Sequence, residues 1–187
     1  SPPRPPTGHQ TQGDAVTNTR VSVDELVDRA EILDCLHRYT RGMDRQDRDL
    51  VRSAYHPDAL DDHGGHIVGV EDFIDWAFRY HANQAIHQHA ISNVTYEIDG
   101  DTAHVECYYL FTARYPDDTA PLVMVGGRYI DRFERREGLW AIAARVCTAE
   151  WRTKPTSTMS NETAAVIGAG ASRDASDPSY ERPLVVE

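Results

Sequence analysis

The stretch Leu36-His-Arg-Tyr-Thr-Arg-Gly-Met-Asp44, taken together with Ile86-His-Gln-His-Ala-Ile-Ser-Asn93, decides how this chain is read. The first puts a tyrosine and a carboxylate at the end of a helix with one apolar face, and the second puts histidines on the lead-in to a strand. An acid and a base are thereby offered to one interior. A carboxylate near a helix end is usually solvated, and a strand histidine is usually a satisfied structural group. The surrounding elements must therefore decide between those roles and a chemical one.

The helix has a readable start. In Ser22-Val-Asp-Glu25 the serine hydroxyl is placed to accept from the Glu25 amide while the Glu25 side chain reaches back, a capping-box pattern. Leu26, Ala30, Leu33, Leu36 or His37, and Thr40 then recur at spacings of three and four, which predicts one buried stripe to about Gly42, where the chain turns. Continuing by four places Asp44 on the same stripe. A carboxylate turned toward a core needs a donor.

A second short helix is expected over about 47–55, ended by His56-Pro57 because the residue before proline is pushed out of the helical region. Residues 59–69 read as a short strand or hairpin interrupted by Gly64 and Gly65. A third helix follows from Val70 to about Ala82, carrying Phe73, Ile74, Trp76, Ala77 and Phe78. The period then changes from helical to alternating. Strand-like runs near 87–98, 102–115, 121–134 and 138–150 are separated by Asp99-Gly100, Pro116-Asp-Asp118 and Glu137-Gly138, which predicts an antiparallel meander. The fold class is α+β: a cone-shaped barrel with three N-terminal helices packed on a strongly bent, mainly antiparallel sheet that encloses a pocket.

With 187 residues and 40% hydrophobic content, the chain holds one well-buried core, which the periodicity assigns to 22–151. Residues 1–21, with four prolines among the first six, read as a flexible arm; 152–187, rich in Ser, Thr, Ala, Gly and Pro, read as a tail that packs on a neighbouring subunit. A net charge of −11 and a pI near 5.2 exclude nucleic-acid and anionic-membrane partners, which require a basic face. Cys35, Cys107 and Cys147, an odd number without a CxxC pair, point to reduced thiols and the cytoplasm. No run approaches the ~20 apolar residues that a membrane helix needs, and no charged segment leads into an apolar one near the N-terminus.

Over about 23–151 the chain resembles the SnoaL-like branch of the nuclear transport factor 2 superfamily. Within that branch it is most similar to the cofactor-independent lyases: scytalone dehydratase, bile-acid 7α-dehydratase and hexachlorocyclohexane dehydrochlorinase. Gly42-Met-Asp44 resembles the segment that supplies the family's aspartate, and His89-Ala-Ile-Ser-Asn93 the segment whose first residue is its catalytic histidine. In Phe133-Glu-Arg-Arg-Glu-Gly-Leu-Trp-Ala-Ile-Ala-Ala-Arg145 the tryptophan and the arginine five residues later match the last strand of the dehydrochlorinase. Five residues before Asp44 the chain has Tyr39, as the dehydratases do, where the dehydrochlorinase has a lysine; this favours loss of water over loss of chloride. A second dehydratase tyrosine has His63 and Tyr55 as its nearest candidates here.

The resemblance implies a β-elimination on a hydrophobic cyclic small molecule, with no cofactor and no metal, in a homo-oligomer, trimer or dimer. His89 is its general base, Asp44 holds the ring in one tautomer, and Tyr39 and Arg145 assist. Tyr55, His63, Trp76, Phe111, Met124 and Arg128 are expected to wall the pocket, because they alternate inward or lie on inward helix faces. Competing readings stay open. Arg145 equally suits a structural ion pair beneath the sheet. Asp61, Asp62, His63, His66, His87 and His89 include a two-histidine, one-carboxylate set of the kind that holds non-haem iron. A small-molecule carrier, an assembly subunit, an isomerase or a cyclase would use the same scaffold.

Overall fold

Ser22 caps the first helix as its sequence predicts: the hydroxyl accepts from the Glu25 amide at 3.1 Å, and α1 runs Val23–Arg45. The computed structural model describes residues 20–117, 119–156, 173, 176, 177 and 180. Most of the expected arm over 1–21 and of the tail over 152–187 lies outside the described residues. The buried stripe of α1 is out of phase with the one expected. Ile32, Leu36, Tyr39 and Met43 are buried at spacings of four, three and four, whereas Leu26 is 54% exposed. The large residues of the second half set the rotation of the helix.

Gly42 does not end the helix. A Cβ there would lie 2.7 Å from both the Val51 Cγ2 and the Val51 amide nitrogen, so the glycine lets α2, Arg48–Arg52, press against α1. Asp47 caps α2 by accepting from the Leu50 amide at 3.0 Å. The second helix is thus shorter than the expected 47–55. Tyr55, His56 and Pro57 belong instead to β1, Tyr55–His63. The sheet claims them: the Ile142 amide donates to the Ala54 carbonyl at 2.9 Å, and β1 runs parallel to the last strand. Pro57 sits in a register irregularity between Tyr55 and Leu60, where its missing N–H interrupts little of the ladder.

Gly64 and Gly65, at φ 69° and 90°, turn the chain into β2, Ile67–Gly69, and α3 follows over Val70–His81. The meander is β3 Ile86–Asp99, β4 Thr102–Arg114, β5 Val123–Arg136 and β6 Leu139–Thr153. Strand order is β2-β1-β6-β5-β4-β3, a six-stranded mixed sheet that does not close, with the helices against its inner face. The cone-shaped α+β fold is therefore as expected, with one addition: the parallel β1–β6 pairing, which alternation within single strands does not encode.

One bulge matters for the site. Phe133 pairs with Ile142 but Arg132 with Ala144, so β6 carries an extra residue there and its parity switches. Trp140 and Ile142 before the bulge and Arg145 after it are all buried on the inner face.

Candidate active site

Between α1, α3 and the inner face of the sheet lies a cavity of ≈ 230 Å³. Tyr39 and Met43 of α1, Phe73, Trp76 and His81 of α3, His63 of β1, His89 of β3, Tyr109 and Phe111 of β4, Tyr129 of β5 and Cys147 of β6 all line it. Two histidine–carboxylate pairs meet this space from different elements.

The first joins the last turn of α1 to the start of β3. Asp44 Oδ1 lies 2.7 Å from His89 Nδ1, and Asp44 Oδ2 accepts from the His89 backbone amide at 3.1 Å. Two bonds to one residue fix both the strand and the ring. Because Nδ1 is the nitrogen engaged by the carboxylate, it is the one that donates, and Nε2 is the nitrogen left outside that bond. The rings around His89 are Phe111, at 5.0 Å, and two histidines, His81 at 5.7 Å and His87 at 5.9 Å. His87 Nε2 donates to the Met43 carbonyl at 2.9 Å, His81 Nδ1 to Gln84 Oε1 at 2.9 Å, and the two rings stack at 4.3 Å. Burial and then the His87 ring beside it pull His81 down to about 3; burial also lowers His87. Both are neutral near pH 7 and add no charge of their own beside His89, although a cation, Arg173, stands near them: its Nη1 donates to the His81 carbonyl at 3.1 Å and its charge lowers both histidines further.

The second pair belongs to a buried row of charges. Asp61, Arg145 and Asp131 are register partners across β1, β6 and β5, and all three are at most 1% exposed. Arg145 Nε and Nη2 donate to the two Asp131 oxygens, each at 2.7 Å. The guanidinium is clamped between the Tyr39 and Tyr129 rings, 4.1 and 4.2 Å from their centroids. Burial raises Asp131 against the opposing pull of Arg145. Burial works against charge on Arg145 too, yet Asp131 holds it well above its ordinary value. Asp61 Oδ2 accepts from the Tyr55 hydroxyl at 2.6 Å, and its Oδ1 bonds His63 Nδ1.

Of the residues expected from sequence, Tyr39, His63, Trp76, Phe111 and His89 line the cavity. Asp44 stands behind His89. Arg145 lies under the cavity in its ion pair with Asp131, the structural arrangement held open above, and Tyr55 faces Asp61 from the core. Met124 and Arg128 are corrected: neither lines the cavity, and Arg128 pairs with Glu106 at 3.2 Å and Glu150 at 2.5 Å. The inner positions of β5 are Val123, Val125, Tyr129, Asp131 and Phe133, and Met124 and Arg128 have the opposite parity. Sequence reading missed Asp131 and His81. Asp131 had a signal, since it shares parity with Tyr129 and Phe133; His81, at the end of α3, had none.

The residues proposed as metal ligands are dispersed. His63 is held by Asp61, His87 by the Met43 carbonyl and His89 by Asp44, while Asp62 accepts from the Gly65 amide at 2.7 Å in the hairpin turn. Among the described residues no three His, Cys, Asp or Glu side chains are grouped to hold a metal ion, and no helix is long and apolar enough to cross a membrane.

The family profile described as "SnoaL-like domain" matches residues 24–146. An uncharacterized protein of Mycobacterium tuberculosis (strain H37Rv), Rv2910c, is 28% identical over 131 residues, 68% of this chain and 89% of that one. Among solved structures, a type 2 hexachlorocyclohexane dehydrochlorinase, LinA, is similar with a TM-score of 0.65 at 20% identity, over 73% of this chain and 94% of that one. A scytalone dehydratase-like protein of Novosphingobium aromaticivorans DSM 12444 gives 0.64 at 17% identity, over 73% and 93%. Likeness at these identities is likeness of fold.

Proposed function

The chain belongs to the SnoaL-like domain family, and on that premise we propose that its cavity carries out a cofactor-independent β-elimination, dehydratase-type, on a hydrophobic ring ketone. The Asp44–His89 pair beside the cavity is the observation that carries this reading: an oriented imidazole whose second nitrogen is free to take a proton. His89 Nε2 removes the hydrogen next to the ketone. The C–H electron pair becomes the new double bond, and the bond to the β-oxygen breaks. Asp44 holds the tautomer and stabilises the imidazolium that forms. Tyr39 assists as a hydrogen-bond donor kept protonated by burial, and Arg145 by holding the Tyr39 ring in place. At ≈ 230 Å³ the cavity is smaller than the ~300–1,000 Å³ usual for drug-sized ligands, which favours one or two rings over a four-ring skeleton.

The test is turnover of β-oxygenated ring ketones by the wild-type chain and by His89→Gln, with melting curves to verify the fold. Loss of turnover on a retained fold supports the base; a loss of stability alone, with ligand affinity unchanged, supports a carrier in its place. The outer sheet face exposes Tyr108, Leu110, Val146 and Trp151 by 37–48%, which supports the homo-oligomer expected from sequence and is checked by light scattering.

A further inference from the structure

The elimination read above leaves one proton unassigned, the one the departing oxygen needs. We propose that His63, held by Asp61, donates it, acting opposite His89 in the same cavity and in the opposite charge state. The inference rests on the elimination reading and adds a second catalytic residue to it, with Asp61 as its positioning residue.

The argument begins with charge balance. Asp131, Arg145 and Asp61 sit in one buried row, and the Nε and Nη2 bonds of Arg145 both go to Asp131, its Nη1 making none to Asp61. Asp61 is left as a fully buried carboxylate whose bonded partners are a neutral phenol, Tyr55, and an imidazole, His63. A lone buried negative charge is costly, and a cationic His63 makes the four-group set neutral. Every element around the ring bears on this. Asp61 and Tyr55 come from β1, Arg145 and Cys147 from β6, Asp131 and Tyr129 from β5, Tyr39 from α1, and Phe73 and Trp76 from α3. Burial pulls the imidazole down, but the Asp61 bond, with Cys147 beside it, raises it to about 9.

Geometry then gives the nitrogen from which the proton leaves. Nδ1 is committed to Asp61, so the ring, which lines the cavity, presents Nε2–H. It stacks on Phe73, centroids 4.7 Å apart and planes 26° apart, with the tilted Trp76 ring at 5.9 Å. Tyr39 is the rival donor on the same cavity, but burial drives its phenol far above the ordinary tyrosine value. It can share a hydrogen bond and gives up its proton poorly. In the full step His89 gains the carbon-bound proton, the C–O electron pair leaves with oxygen, and His63 gives that oxygen its Nε2 proton, so that water departs. His63 ends neutral and His89 cationic, and solvent resets both. The substrate class narrows accordingly to a ring ketone whose β-leaving group is a poor one, a hydroxyl.

Two measurements test this. Imidazole ¹⁵N spectra of the full chain at pH 8 are expected to show His63 protonated on both nitrogens, with the charge lost in Asp61→Asn. The second compares 3-hydroxycyclohexanone with 3-acetoxycyclohexanone, whose acetate leaves without a proton. His63→Gln is expected to lose about 100-fold on the hydroxy ketone and under about 5-fold on the acetoxy ketone, whereas His89→Gln loses on both. A neutral His63 at pH 8, or equal losses on the two probes in His63→Gln, overturns the donor role alone. Absence of turnover of either probe by the wild-type chain, or unchanged turnover in His89→Gln, overturns the elimination reading and the donor role with it.

Discussion

The two histidine–carboxylate pairs of this cavity use the same atoms and differ in everything behind them. In each, a carboxylate engages Nδ1. Asp44 retains 18% exposure, takes its second bond from a backbone amide, and stands among neutral histidines. Asp61 is fully buried, takes its second bond from the Tyr55 phenol, and shares its row with an arginine already claimed by Asp131. A histidine's chemistry is therefore set by the charges one layer further out than its partner. Beside neutral imidazoles, with Arg173 the nearby cation, the pair is built to accept a proton; where an anion is stranded in the core, it is built to hold one.

That contrast breaks most visibly at Asp44. Asp44→Asn keeps the shape but lets the ring take the wrong tautomer, and turnover is expected to fall by about 10³–10⁴-fold with little change in melting temperature. Comparable activity in the variant would show that orientation of His89 does not matter. On the other side, Arg145→Met is expected to act on the fold. It strands Asp131 and Asp61 together, and removal of one partner from a buried pair costs about 3–5 kcal/mol. A denaturant midpoint within error of wild type would mean that water reaches the row.

The pairs also separate on a pH axis. His63 rises from 6.5 to about 9 in the fold, so its contribution is complete below 6.5 and is lost as pH climbs through 9. The shift corresponds to about 3 kcal/mol. His81, pulled down to about 3, has the opposite sign: its contribution is present above 6.5 and fades as pH falls toward 3. Unfolding free energies measured from pH 6 to 9.5 should decline in the wild-type chain and stay flatter in His63→Gln. Parallel curves would place the charge of the row elsewhere.

Much of this was legible in sequence because the signals were local. Ser22 and Glu25 marked a cap, Gly64-Gly65 and Glu137-Gly138 marked turns, and four alternating runs marked the meander. Asp44 and His89 were legible through the family resemblance, whereas the helix stripe expected to carry Asp44 was out of phase with the buried one. What escaped depended on non-local facts. The parallel pairing of β1 with β6 set Asp61 beside Arg145, and the bulge at Phe133 and Ile142 put Arg145 on the same face as Trp140. Met124 and Arg128 were assigned inward because a strand's parity has no absolute origin until its neighbours fix it. Tyr55 was given to a helix because Pro57 reads as a helix stop, although the strand that absorbs it does so at an irregularity.

The smallest expected effect is also the most specific to the comparison. Tyr55→Phe removes one hydroxyl, the 2.6 Å donor to Asp61, and leaves the ring against Tyr39 and Phe73. An unsatisfied oxygen on a buried carboxylate costs about 1–3 kcal/mol, so a modest fall in stability is expected. A purely apolar role for Tyr55 would leave stability nearly unchanged. The direction at His63 is more telling. With the phenol gone, the Asp61 charge falls more heavily on the imidazole, which should hold its proton at least as tightly as before. The Asp44 pair has no phenol to lose, so elimination of 3-acetoxycyclohexanone should keep its wild-type rate. A drop in the pH at which His63 loses its proton would mean that Asp61, without the phenol, takes up a proton itself, and the two pairs would then no longer differ in charge.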